Sequence, residues 1–167
     1  GEVCDMIVIS PNAGGPIGEG YWNGYFDTEG WAYERFFYEE FLPTVEKQYR
    51  IKADKAHRAI AGLSMGGGHT FTISKDYPNT FDYVGIFSAS GQVNDETRPQ
   101  LEAMQKNGYA LYVIACGNTD FLYNGAVNYH NQLTEMGFEH EWWESGGGHI
   151  WRNWRIYLTD FAQRIFK

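Results

Sequence analysis

Cysteine is scarce in this chain: Cys4 and Cys116 are the only two among 167 residues. Two widely separated cysteines build neither a metal motif nor a disulfide framework. Cys116 ends an apolar run and reads as a buried free thiol. Positive charge is also in deficit, with 13 Lys and Arg against 21 Asp and Glu and a formal net charge of −8. Such a surface repels phosphate backbones, which argues against nucleic acid as a partner. No apolar stretch reaches the length needed to span a bilayer, no block of like charge marks a tail, and no internal repeat or low-complexity stretch occurs. The chain begins at Gly1 with neither Met nor a signal-type segment, a pattern left either by a removed leader or by a fragment boundary.

What is present is apolar and aromatic. Hydrophobic residues make up 43% and aromatic residues 17% of the chain, enough for a packed core and far from a disordered composition. The length suits one domain, here taken as residues 1–167. Strand-like and helix-like segments alternate. Strands are expected at Met6–Ser10, Arg58–Leu63, Phe81–Ser88, Ala110–Cys116 and Phe138–Glu144. Helices are expected over about 32–49, from Ser64 through Ser74, over 94–107, over 124–136 and from Trp151 onward. In the first of these, Phe36, Phe37, Phe41, Leu42 and Val45 form the apolar stripe, and Pro43 should kink or restart the helix. Gly137 should cap the helix over 124–136. Near-continuous apolar strands separated by helices imply a mostly parallel sheet covered on both faces. In such sheets ligands sit beyond the carboxyl ends of the strands.

Gly62-Leu63-Ser64-Met65-Gly66 matches G-x-S-x-G, with an apolar strand before it and a helix after. In that setting the serine sits on a strained turn with its hydroxyl exposed. Glycine two residues to either side is expected to let the turn close. The helix behind it favours developing negative charge, and the Met65 N–H is expected to serve as one oxyanion donor. The plainer alternative makes Ser64 a helix N-cap.

A serine needs a base to take its proton. Of the five histidines, His57 precedes a strand, His69 lies on the helix after the serine, His130 is mid-helix and His140 falls in a strand. Only His149 lies in a Gly-rich loop after the last strand. Asp120, just past the fourth expected strand, completes the chain order Ser–Asp–His. Its plainer alternative is an Asx-turn or a helix cap. Asp82 and Asp95 are weaker candidates for the acid.

Together Ala61-Gly-Leu-Ser-Met-Gly-Gly67, Ile114-Ala-Cys-Gly-Asn-Thr-Asp-Phe121 and Gly147-Gly-His-Ile-Trp151 resemble the feruloyl and acetyl xylan esterases, within the wider esterase D-like group of carbohydrate esterases. Val45-Glu-Lys-Gln-Tyr-Arg50 fits the same family. The resemblance covers nearly the whole chain. It implies a three-layer α/β-hydrolase fold and the catalytic set Ser64, Asp120 and His149, with neither cofactor nor metal. It implies a small ester or a feruloylated or acetylated polysaccharide as substrate, no membrane partner, and a secreted or periplasmic location.

Ile150 stands where relatives often carry Asp. The family domain also has three more strands before Met6, one of them between the strands at Met6 and Arg58, and the loop after it supplies the second oxyanion donor. On that footing the chain is an N-terminally truncated sheet of about five strands, with the second donor unnamed. A second copy completing the sheet as a homo-oligomer is one way to fill the gap. Asn12, Phe121 and Trp151 are the expected substrate contacts. Two alternatives stand beside the esterase reading. One is an acyltransferase or thioesterase on the same scaffold. The other is a non-catalytic module that self-associates or binds carbohydrate.

Overall fold

The computed structural model describes residues 3–11, 13 and 33–167. These fall into two compact units, one of residues 5–52 and one of residues 53–167 with residues 3 and 4.

The second unit holds a four-stranded, all-parallel sheet of order β1-β2-β3-β4: Ala59–Leu63, Tyr83–Phe87, Leu111–Gly117 and Glu141–Ser145. The register runs Leu63↔Phe87↔Ala115 and Ala115↔Trp143, so neighbouring strands end at one common edge. Every residue of β2 and β3 is buried, as expected of strands covered on both faces. Among the described residues β1 hydrogen-bonds to β2 alone and β4 to β3 alone, which makes them the two edges.

Helices cover both faces. Helix α3 (Met65–Asp76) and helix α5 (Tyr123–Glu135) meet on one side. There Phe71 stands edge-on to Tyr129 at 5.3 Å, and the buried Tyr112 and Tyr129 hydroxyls share a 2.8 Å hydrogen bond. Helix α6 (Trp151–Ala162) covers the other side, with Tyr157 and Phe161 against Phe87. Helix α4 (Arg98–Asn107) buries Leu101 and Met104. Helix α5 closes on a Schellman motif: Gly137, at φ +70°, donates to the Thr134 carbonyl, and Phe138 donates to that of Leu133. Only glycine holds that backbone without steric cost.

In the first unit, Tyr33–Phe36 (α1) and Leu42–Gln48 (α2) are joined by a π-helical turn at Phe37–Phe41. Pro43 offers no N–H and its ring crowds the preceding turn, so a wide turn ahead of it is the form the expected kink takes. Of the apolar stripe, Phe36, Phe37 and Phe41 lie in ring contact at 5.5–6.5 Å.

One expectation is corrected. Met6–Ser10 takes no regular secondary structure and lies outside any ladder, so the sheet has four strands among the described residues rather than five. Ile7, Val8 and Ile9 are exposed there, Val8 by 82%. An apolar run becomes a parallel strand only where a partner ladder and covering layers exist. Strand β4 carries Trp142 and Trp143 side by side. They face opposite sides as consecutive strand residues must, Trp142 stacking on His130 and Trp143 lying under Arg164. Neither is fully buried, because β4 is an edge strand.

Candidate active site

Ser64 follows β1 directly and holds φ 52°, ψ −120°, a left-handed strained conformation for a non-glycine residue. It occupies the N-cap position of α3, yet its side chain makes no capping bond. Its hydroxyl instead donates to His149 Nε2 at 2.9 Å. The turn is closed by backbone approach. A Cβ on Gly62 would lie 2.1 Å from the Gly66 carbonyl oxygen, and one on Gly67 would lie 2.5 Å from the Ala89 methyl. A Cβ on Gly66 would meet nothing within 4 Å. Of the two flanking glycines, the turn therefore requires Gly62, while Gly66 matters through its backbone.

His149 lies in the loop between β4 and α6. Its Nδ1–H donates to Asp120, 2.9 Å from Oδ2 and 3.0 Å from Oδ1. This loop is sewn to the one after β3: Asn118 N–H donates to Ser145 O, and Thr119 N–H to Gly147 O. The buried Asn153 amide donates to Gly148 O at 3.1 Å.

Asp120 is buried and its carboxylate also accepts the Leu122 N–H at 2.9 Å, so the Asx-turn expected as an alternative coexists with the bond to His149. Burial pushes this carboxyl up, but hydrogen bonds from Leu122 N–H, Ser88 and His149, and the His149 charge, outweigh it and hold the pKa below the usual value. Beside it, burial and then the Asp120 charge push the Cys116 thiol up to about 12, so it stays a neutral buried thiol.

Around these residues the surface is apolar. Phe121 is 77% exposed with its ring 4.5 Å from that of His149. Trp151 is 64% exposed and stands edge-on to Trp154, which stands edge-on to His149 at 4.9 Å. Met65 is partly exposed. Its N–H opens α3, where no turn of helix supplies an acceptor. Asn12, expected as a substrate contact, lies outside the described residues, as does most of the loop after it.

The remaining candidates lie elsewhere. His57 pairs with Asp54 in a 3₁₀ turn before β1, His69 is buried in α3, and His130 and His140 share a 2.7 Å hydrogen bond. Asp82 sits at the start of β2 facing Lys55, and Asp95 is exposed. An open hollow of about 310 Å³ lined by Trp143, Asp160, Gln163 and Arg164 carries no serine, cysteine or histidine. Among the described residues no group of three or more His, Cys, Asp or Glu is placed to hold a metal ion, and no helix is long and apolar enough to cross a membrane. Sequence reasoning missed Ser88, Asn153 and Trp154, whose roles arise from buried tertiary contacts.

The family described as "Putative esterase" matches residues 6–165. This chain belongs to the esterase family. It is 32% identical over 145 residues to an endo-1,4-beta-xylanase/feruloyl esterase of Xylanibacter ruminicola, covering 86% of this chain and 19% of that protein. The chain thus spans about a fifth of the length of that curated relative. A solved ferulic acid esterase superposes with a TM-score of 0.79 at 33% identity, over 97% of this chain and 70% of the other. A ferulic acid esterase from Anaeromyces mucronatus gives a TM-score of 0.75 at 23% identity, over 99% and 66%. The parallel sheet flanked by helices is that of α/β hydrolases of the feruloyl esterase kind.

Proposed function

We propose that this chain is a serine carboxylic-ester hydrolase acting on feruloyl or acetyl esters of plant cell-wall polysaccharide. Ser64 is the nucleophile, His149 the general base and Asp120 the acid that orients it. The observation that carries the reading is the unbroken line of hydrogen bonds from Asp120 through His149 to Ser64, each about 3 Å. The substrate class is supported by the 32% identical xylanase/feruloyl esterase and by the 33% identical ferulic acid esterase.

In the first step Ser64 Oγ attacks the ester carbonyl while His149 Nε2 takes its proton. Asp120 holds the Nδ1–H tautomer and stabilises the imidazolium that forms. The Met65 N–H stabilises the oxyanion together with a second donor. His149 then returns the proton to the leaving sugar alcohol. Water activated by the same imidazole hydrolyses the acyl-enzyme. Phe121 and Trp151 offer flat exposed rings beside His149 for the acyl group. The chemistry calls for neither metal nor cofactor. Work on such esters places the protein outside the cytoplasm, in secreted or periplasmic form.

The test is turnover of p-nitrophenyl acetate and methyl ferulate by the chain and by Ser64→Ala. Activity lost in Ser64→Ala with the fold retained supports the reading, and full retained activity overturns it. We further propose that the side of β1 with no ladder partner among the described residues is completed by a second copy. Light scattering that gives a dimer or larger supports this, and a monomer at all concentrations overturns it.

A further inference from the structure

His149 stands on the loosest backbone a chain can offer. Three glycines in succession, Gly146, Gly147 and Gly148, lead into it from β4, and glycine restrains its own φ and ψ least of all residues. His149 itself is the middle residue of a γ-turn, closed by the Ile150 N–H on Gly148 O at 2.9 Å. Yet both faces of its ring must hold their partners, Asp120 at 2.9 Å on one nitrogen and Ser64 at 2.9 Å on the other. The restraint has to come from outside the segment.

It comes through the two carbonyls that precede His149. Gly147 O accepts the Thr119 N–H at 3.1 Å, which ties the turn to the loop carrying Asp120. Gly148 O accepts a second bond besides that of Ile150, from the Asn153 side-chain amide at 3.1 Å. This ties the turn to the first turn of α6. The residue at the N-cap of α6, Ile150, makes no side-chain capping bond, so the reach of Asn153 back to Gly148 is a side-chain link between helix and loop.

The setting of Asn153 fits that task. Asparagine is a weak helix former, and its side chain is 2% exposed. Burying an amide costs free energy unless it is hydrogen-bonded, and the bond it makes here is to the residue before His149. The amide is also wedged between the two loops: a Cβ built on Gly117 would lie 2.6 Å from Asn153 Nδ2, and one built on Gly147 would lie 3.5 Å from it.

We propose that Asn153 is a positioning residue for the general base. Its amide pins the Gly148 carbonyl, and with it the turn that holds His149 between Ser64 and Asp120. With the Asn153 bond gone, the turn keeps its tie to the acid loop but can pivot about the glycines. The proposal rests on the reading of Ser64, His149 and Asp120 as a catalytic set.

The experiment compares the parent chain with Asn153→Leu, Asn153→Ala and Leu133→Ala. Leucine nearly keeps the shape of asparagine and removes the donor. Alanine removes the same bond without any overpacking. Leu133 is fully buried in α5, away from the site, and its truncation destabilises the fold without touching the loop. A displacement of reacting groups by about 1 Å costs about 100-fold, so kcat for p-nitrophenyl acetate should fall by about 10–100-fold in both Asn153 variants. KM should stay close to the parent's. Leu133→Ala should melt at a lower temperature yet keep the parent's kcat below its melt.

A readout independent of turnover is the low-field proton resonance of the His149 Nδ1–H. It should be present in the parent and in Leu133→Ala, absent in Asp120→Ala, and displaced or broadened in the Asn153 variants. A folded Asn153→Leu or Asn153→Ala with the parent's kcat, or with that resonance unmoved, overturns the role of Asn153 and leaves the esterase reading standing. A folded parent with neither turnover nor resonance overturns both.

Discussion

Gly117 and Gly147 touch through their backbones: a Cβ built on Gly117 would lie 2.2 Å from the Gly147 carbonyl oxygen. Gly117 ends β3, which leads to Asp120, and Gly147 lies two residues before His149. Their contact is how the acid loop and the base loop reach hydrogen-bonding distance from different strands. Gly117→Ala should therefore force the two loops apart. Overpacking of this kind costs about 1–3 kcal/mol, visible in chemical denaturation. It should also lower kcat more than it raises KM, since the disturbance falls on His149 rather than on the rim. Unchanged stability and unchanged kcat would contradict this account of the contact.

The two glycines flanking Ser64 should behave oppositely. Gly62→Ala places its methyl on the Gly66 carbonyl and should destabilise the turn by about 1–3 kcal/mol. Gly66→Ala meets open space inside a helix and should stabilise by about 0.4–1 kcal/mol through the unfolded chain. Thermal melts of the pair check both signs, and equal destabilisation by the two would contradict the geometry.

Asp120 carries a pH signature. Its folded-state carboxyl titrates below its unfolded value because the bonds from Leu122, Ser88 and His149 outweigh burial. The stability this contributes is fully present above the unfolded carboxylate range, about pH 4. It is lost as pH falls through the folded-state value. Asp120→Asn should reduce the slope of stability against pH in that acid window and leave the slope near neutrality unchanged. It should also lower kcat by roughly 10⁴-fold through the wrong imidazole tautomer. Urea titrations across pH and a rate measurement at neutral pH test the two parts separately.

The exposed rings of Phe121 and Trp151 should separate acyl groups. Replacing either with Ala should raise KM for methyl ferulate several-fold while changing p-nitrophenyl acetate turnover little, because an acetyl group has no ring to stack. Equal effects on both esters would assign these rings to packing rather than to acyl recognition.

Much of the fold is legible in the sequence because buried parallel strands are written as short apolar runs. Ala59–Leu63, Tyr83–Phe87, Leu111–Gly117 and Glu141–Ser145 all fall within or beside the expected segments. Met6–Ser10 shows the limit of that signal. Composition makes a run competent to be a strand, but a ladder needs a neighbour, which no local pattern encodes. Ser64, Asp120 and His149 could be named from a motif, strand ends and chain order. Ser88 and Asn153 could not, since a polar residue closing an apolar strand or opening a helix looks the same whether it caps a backbone or braces a side chain. The π-helical turn was foreshadowed only as a kink, by Pro43.

The central claim is that Ser64 becomes acylated with His149 as its base. The most direct measurement is acid-quenched mass spectrometry of the chain after mixing with p-nitrophenyl acetate, with the peptide carrying Ser64 sequenced. The account predicts one added acetyl group on Ser64, formed within the mixing time and absent in His149→Ala. An unmodified Ser64 in a folded chain that still turns the ester over would contradict it.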